Sequence, residues 1–187
     1  GGAYIAMVDG AEATYYNPSA MSWTEGISVA LSHNEWFAGI NHDYISITNN
    51  FGRIGSFGLS VTSLYTDEME VTTPLSPQGS GETFYAGSYR VGLSYSRWLT
   101  NYVTFGGKIS YIDVSLYDDF SKEAYAVDIA ASYNTAFRNF RFGMMISNFG
   151  SSLKFVNESY PLPLQFSFGF SINTLESTNW RLTSCVS

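Results

Sequence analysis

The sequence predicts an all-β fold, an antiparallel transmembrane β-barrel of about nine strands behind a short N-terminal segment, and three observations carry that reading. The first is a period-two alternation of large apolar residues with small uncharged ones. In residues 164–173, Leu164, Phe166, Phe168, Phe170 and Ile172 share one face, and Gln165, Ser167, Gly169, Ser171 and Asn173 share the other. Strand side chains point alternately to opposite faces. A soluble sandwich strand would show Lys, Glu or Arg to water where this one shows Ser and Gly. The second is composition. Charged residues make up 13% of the 187 positions, about half of the ~25% usual in soluble domains. Aromatic residues make up 17%, with 14 Tyr, 14 Phe and 17 Gly, the mixture that aromatic girdles and a narrow lumen require. The third is an alternation of short and long connections, as in barrels with short turns at one end and long loops at the other. A soluble, Tyr-rich secreted β-sandwich is the competing class, and Greek-key connections give it no reason to keep that order.

Residues 1–26 stand apart. Gly1, Gly2 and Gly10 punctuate an Ala-rich run that ends in Tyr15-Tyr16-Asn17-Pro18. Proline restricts its predecessor and ends regular structure, so a compact, turn-rich segment is expected, with a short helix over Pro18–Trp23. From Ile27 to residue 187 the alternation governs. Ile27, Val29 and Leu31 open the first strand, and Trp36–Thr48 reads as the second, interrupted at Gly39. Phe57, Leu59 and Val61 mark the third; Tyr89, Val91, Leu93, Tyr95 and Leu99 the fourth; Val103, Phe105, Ile109 and Tyr111 the fifth. Tyr125, Val127, Ile129 and Tyr133 mark the sixth, Phe140, Phe142, Met144 and Ile146 the seventh, residues 164–173 the eighth, and an incomplete strand starts at Trp180. No amphipathic helix intervenes, so neighbours should be antiparallel. Most segments reach the roughly 9–11 residues that a tilted membrane strand needs.

Charge and motifs exclude several functions. The net charge of −7 and the absence of a Lys/Arg cluster argue against nucleic acid. Cys185 is alone, so no internal disulfide forms. No run of 18 apolar residues offers a transmembrane helix. Gly79-Ser80-Gly81 lacks the Lys-Ser/Thr of a phosphate loop. His33 and Glu35, two apart on one strand face, make at most a weak metal pair, and a hydrogen-bonded pair at the membrane edge is the simpler expectation. His42 and Asp43 point oppositely if extended. No catalytic residues and no cofactor or metal site are assigned, and the chain reads as a non-enzyme. Lys108, Asp128 and Arg141 lie on the small-residue faces, where charges enclosed in a barrel should pair with one another.

Several stretches together resemble the PorV/PorQ family of FadL-like outer-membrane proteins. They are Gly1–Ala6 with Asp9, Ala13 and Tyr15-Tyr16-Asn17-Pro18; Ser32-His33-Asn34-Glu35-Trp36-Phe37; Tyr89–Arg97 with Leu99-Thr100; Gly106–Ile112; Ile146-Ser147-Asn148-Phe149-Gly150; and Pro161–Leu164. His33, Glu35, Trp36, Asn148 and Gly150 are the signature positions. The resemblance implies a bacterial outer-membrane location and a FadL-like barrel of about fourteen strands, of which this chain would hold the hatch (1–26) and part of the wall (27–187). Both ends read as cut from a longer protein. It also implies a type IX secretion role: binding or shuttling secreted cargo through its C-terminal signal domains, beside other secretion-system subunits and outer-membrane lipid. The alternative is a FadL-like channel for hydrophobic molecules such as long-chain fatty acids. Asn17 and Pro18 would belong to the hatch and limit passage, with Asn17 capping the short helix. Loops 66–84 and 149–163, long and rich in Pro and Gly, are expected to present the partner surface.

Overall fold

A computed structural model describes residues 2–72, 74, 76–77, 79–116, 121–135, 137–155, 158–176 and 181–187. Its strands are β1 (Gly26–Glu35), β2 (Ile40–Asn50), β3 (Ser56–Thr66), β4 (Met69–Glu70), β5 (Thr83–Phe84), β6 (Gly87–Trp98), β7 (Val103–Ser115), β8 (Ser121–Asn134), β9 (Arg141–Gly150), β10 (Leu153–Phe155), β11 (Glu158–Tyr160), β12 (Gln165–Glu176) and β13 (Arg181–Val186). Nine of them form one antiparallel sheet in the order β1-β2-β3-β6-β7-β8-β9-β12-β13. The hairpins β4–β5 and β10–β11 decorate two of the connections.

The register turns the alternation of each strand into rows across the sheet. Val29, Ile47, Leu59, Leu93, Ile109, Val127 and Phe149 are successive partners on one face. Ser28, Thr48, Gly58, Ser94, Lys108 and Asp128 are successive partners on the other. A slip of one residue would exchange these faces, which is why the pattern holds the register. The burial is inverted relative to a soluble sheet. Leu93 is 60% exposed and Ile109 62%, while Ser94 is 1% and Ser110 0%.

The N-terminal segment covers the small-residue face. It comprises 3-10 turns at Gly2–Ala6, Gly10–Glu12 and Pro18–Trp23 and one α-helical turn at Ala13–Tyr16. Pro18 opens the last turn, where its missing N–H costs nothing, and the Asn17 side chain accepts from Ser19 N as the cap. The segment has a small apolar core of its own, Val8, Ala13, Ala20 and Met21. Its backbone is seated on glycines of the wall. A Cβ on Gly106 would lie 2.5 Å from Ser19 N, and one on Gly143 2.7 Å from the Ile5 carbonyl.

The N-terminal segment, called the plug below for its place against the sheet, also shows that the sheet is curled. Ser28 on β1 accepts from Ala11 N at 3.1 Å, and Ser171 on β12 donates to Ala6 O at 3.1 Å. Those anchors are five residues apart, at most ~17 Å of extended chain. On a flat sheet the two strands, seven steps apart, would be ~34 Å apart at ~4.8 Å per step. β1 and β13 remain unpaired edges among the described residues.

Some expectations about elements change. The second strand begins at Ile40, not Trp36. Ala38 (φ 59°) and Gly39 (φ 66°) are left-handed, and Trp36 N donates to Ile40 O at 2.7 Å, so Trp36 to Gly39 make the hairpin turn. Leu99, Phe140 and Leu164 fall just outside strands. The strand start at Trp180 lies outside the described residues.

Candidate functional site

Arg90, Lys108 and Asp128 of the inner face converge against the plug, at its long-loop side. They border a cleft of 470 Å³ floored by Ile5, Tyr15 and Tyr16 and walled by Arg90, Lys108 and Asp128. Lys108 is 4% exposed. Its chain passes over Gly92, where any Cβ would overlap it, and its Nζ donates to Thr14 O of the plug at 2.9 Å. Asp128 receives Arg90 Nη2 at 2.7 Å and Asn148 N at 2.8 Å. The second bond exists because β9 carries an extra residue opposite Asp128: the β8–β9 register shifts between Val127 and Ile129, and Asn148 takes φ 62°. Asparagine tolerates that left-handed geometry better than most residues. Asn148 then accepts Arg90 Nη1 at 3.2 Å and donates to Pro163 O at 3.2 Å, tying the wall to the connection before β12. Gly150 follows because Tyr125 O occupies the place of its Cβ.

The site therefore holds two cations and one carboxylate. Arg90 Nε is buried and has no partner among the described residues. The excess is positive, in a chain whose net charge is −7, so the cleft can accept an anionic group next to the apolar surface of Ile5 and Met145.

The expected charged trio is corrected in part. Lys108 and Asp128 share the cleft, but the partner of Asp128 is Arg90, and Arg141 instead places its guanidinium 4.5 Å from the Trp23 ring centroid. Arg90 carried the same signal as Lys108, a lone charge on a small-residue face, and was missed as the partner of Asp128 because the two lie on β6 and β8 and meet across β7. Asn17 caps the last turn, as expected, and packs against the sheet. It is fully buried, accepts from Ser19 N and Ser19 Oγ at 3.2 and 2.7 Å, and donates to Ile5 O and Ser132 Oγ at 2.8 and 2.9 Å. Pro18 is buried beside it against Gly106.

The pairing of His33 with Glu35 is not found. His33 Nδ1 lies 2.5 Å from Asp43 Oδ1, its partner in the β1–β2 register, and Tyr65 Oη donates to Asp43 Oδ2 at 3.1 Å. Glu35 is exposed opposite Asn41. Trp36 is 66% exposed and stacks on Phe37 at 5.9 Å. Among the described residues no group of three His, Cys, Asp or Glu side chains is placed to hold a metal.

In the plug, Tyr4 Oη donates to Glu12 Oε2 at 2.5 Å. That hydrogen bond, with burial and the charges of Glu12 and Asp9, pushes the Tyr4 phenol up to about 12. Burial beside Tyr15 and Glu12 raises Tyr16 as well. No protein-family model matches the chain, and no curated protein matches it, so its function is argued from this geometry.

Proposed function

We propose that the chain forms the plug and nine wall strands of a bacterial outer-membrane β-barrel of the PorV/PorQ type, which binds secreted protein cargo in type IX secretion. One observation carries the membrane reading: on the sheet, large apolar side chains such as Leu93, Ile109 and Phe166 are exposed, and the small polar ones between them are buried under the plug. In water this face would be an apolar patch far beyond the few hundred Å² that soluble monomers tolerate. Rows of aromatic rings bound it on both sides. Tyr89, Tyr111 and Tyr125 are neighbours at 6.1 and 5.5 Å near the long-loop end, and Phe51, Phe57 and Tyr95 at 5.9 and 5.0 Å near the short-turn end. Such girdles suit the two interfaces of a bilayer.

The plug argues for protein handling over free diffusion. Its backbone lies against Gly106 of β7 and Gly143 of β9, its hydroxyls bond Tyr44, Ser96 and Ser132, and its Ala6 carbonyl accepts from Ser171. What remains available to a large partner is the loop end, where connection 67–86 carries Asp67, Glu68, Glu70 and Glu82. Deleting residues 67–84 from the full-length protein should weaken binding of a cargo signal domain at least tenfold. Undiminished binding by a folded variant refutes the loop assignment. A second reading, uptake of a hydrophobic molecule with an anionic head, is favoured by the mixed lining of the 470 Å³ cleft. Fatty-acid uptake that depends on the protein, with cargo binding absent, would select it.

A further inference from the structure

Beside the charged cleft, and distinct from it in chemistry, is a cavity built of tyrosines. It measures 440 Å³ and is lined by Tyr4, Tyr15 and Tyr16 of the plug, Tyr44 and His42 of β2, and the Glu12 carboxylate. The rings meet edge to face. Tyr4 and Tyr16 have centroids 4.8 Å apart at 78°, Tyr15 and Tyr16 4.9 Å at 65°, and Tyr15 and Tyr44 5.4 Å at 78°. Stacked rings would cover one another's faces. Rings set nearly at right angles cover only one face of one ring in each pair, and the face of an aromatic ring is its negative side. Two walls are fixed: Tyr44 Oη is held by Thr14 Oγ1 and the Ala11 carbonyl, and Tyr4 Oη by Glu12. Tyr15 and Tyr16 remain 44% and 37% exposed, so the cavity can be reached.

The electrostatics point the same way. No Lys or Arg lines the cavity among the described residues. Glu12 supplies a formal negative charge at its rim, and Asp9 adds to the field at Tyr4. The connection 67–86, at the same end of the sheet, is acidic and would concentrate cations.

We propose that Tyr4, Tyr15, Tyr16 and Tyr44, with Glu12, form an aromatic cage that binds an alkylammonium cation. A quaternary ammonium fits best, because it needs no hydrogen-bond acceptors and gains from several ring faces at once. The same head occurs on free choline and on a phosphatidylcholine. Tyr15 and Tyr16 also floor the cleft of Arg90 and Lys108, so a phosphodiester next to the cation has cations on one side and Glu12 on the other, and the lipid arm of the test separates the two sources. The site does not depend on which function the barrel serves, and its failure would leave the membrane reading intact.

The test uses the full-length protein folded in a maltoside detergent, which carries no ammonium group, and calorimetric titration. Choline should bind at least about tenfold more tightly than 3,3-dimethyl-1-butanol, its neutral isostere. Equal affinity for the two, or no binding of choline where the neutral isostere binds, overturns the proposal. Glu12→Gln should weaken choline about fivefold and Tyr15→Leu about tenfold, while Tyr15→Phe should stay within about twofold. Unchanged choline affinity in both Glu12→Gln and Tyr15→Leu also overturns it. Should Tyr15→Leu misfold, the isostere comparison on the unaltered chain decides. Dihexanoylphosphatidylcholine below its micellar concentration separates the sources: weaker binding than choline assigns the free cation, tighter binding a lipid head.

Discussion

Gly106 and Gly107 are adjacent on β7 and face opposite ways, which makes them a matched pair for testing the seat of the plug. On Gly106 an added Cβ would lie 2.5 Å from Ser19 N, 2.6 Å from Ser19 Cα and 2.7 Å from Pro18 C. All three are backbone atoms, so no side chain can swing aside. On Gly107 the nearest atom is Asp128 O at 3.5 Å, an ordinary contact. Gly106→Ala therefore has to lift Pro18 and Ser19 from the wall by about 1 Å or strain β7. Overpacking of this kind costs about 1–3 kcal/mol. Lifting also loosens Ser19 and Asn17 from Ser132, whose bonds of 2.6 and 2.9 Å are each worth about 1 kcal/mol net. A total near 3 kcal/mol corresponds to roughly 6–12 °C in melting temperature for a chain of this size. Thermal unfolding in detergent, followed by circular dichroism, reads the shift. Chymotryptic cleavage after Tyr15 and Tyr16 reads the release of the plug. Gly107→Ala should change neither. Equal melting temperatures for the two variants, or faster cleavage in Gly107→Ala, would refute the seating argument.

The outer face can be tested with a charge. Leu93→Arg or Ile109→Lys should cost about 2–4 kcal/mol in a bilayer if these residues face lipid, whereas exposed positions in water change by less than about 0.5 kcal/mol; refolding titrations into vesicles distinguish the two. Asp128→Asn keeps an acceptor for Asn148 N but removes the counter-charge of Arg90, and should destabilise by about 1–3 kcal/mol. Adding Arg90→Met should recover part of that loss, and a double-mutant cycle without coupling would show the ion pair to be idle. Tyr4 is raised to about 12 from an ordinary value of 10.0. Its folded state thus prefers the neutral phenol, and its contribution is complete below pH 10 and lost as the pH climbs through 12. Tyr4→Phe should flatten that part of the stability profile, and an unchanged slope between pH 10 and 12 counts against the bond to Glu12.

The strands were legible because alternation is a local property of the chain. From Ile27 onward, each apolar residue predicted to face outward did so wherever the backbone stayed extended. The plug was legible by contrast, since Asn17-Pro18 breaks the pattern and caps the last turn. Partners were harder. His33 finds Asp43 rather than Glu35 because the turn at Trp36–Gly39 fixes the register of β1 on β2, and two left-handed residues in that turn are not visible as spacing. Arg141 finds Trp23 because the plug comes back over β9, and no periodicity relates residues on a plug to residues on a wall. The β9 irregularity at Asn148 brings Asp128, Arg90 and Pro163 together, and nothing in the alternation of β9 announces it before the register is known.

The stretch of plug between Ala6 and Ala11 acts as a caliper for any closed ring that contains this wall. Its two ends grip Ser171 and Ser28 at 3.1 Å. Adding about 5 Å of side chain and hydrogen bond at each end to ~17 Å of extended chain keeps the β1 and β12 backbones within about 27 Å. In a ring of strands spaced ~4.8 Å and tilted ~40°, seven steps subtend a chord of about 28 Å at fourteen strands and about 31 Å at sixteen. Nine strands are already in place, and single-chain bacterial barrels take even numbers. The jaws of the caliper thus fit roughly ten or twelve strands and reach fourteen only at full stretch, and a wider ring would pull one serine off its grip.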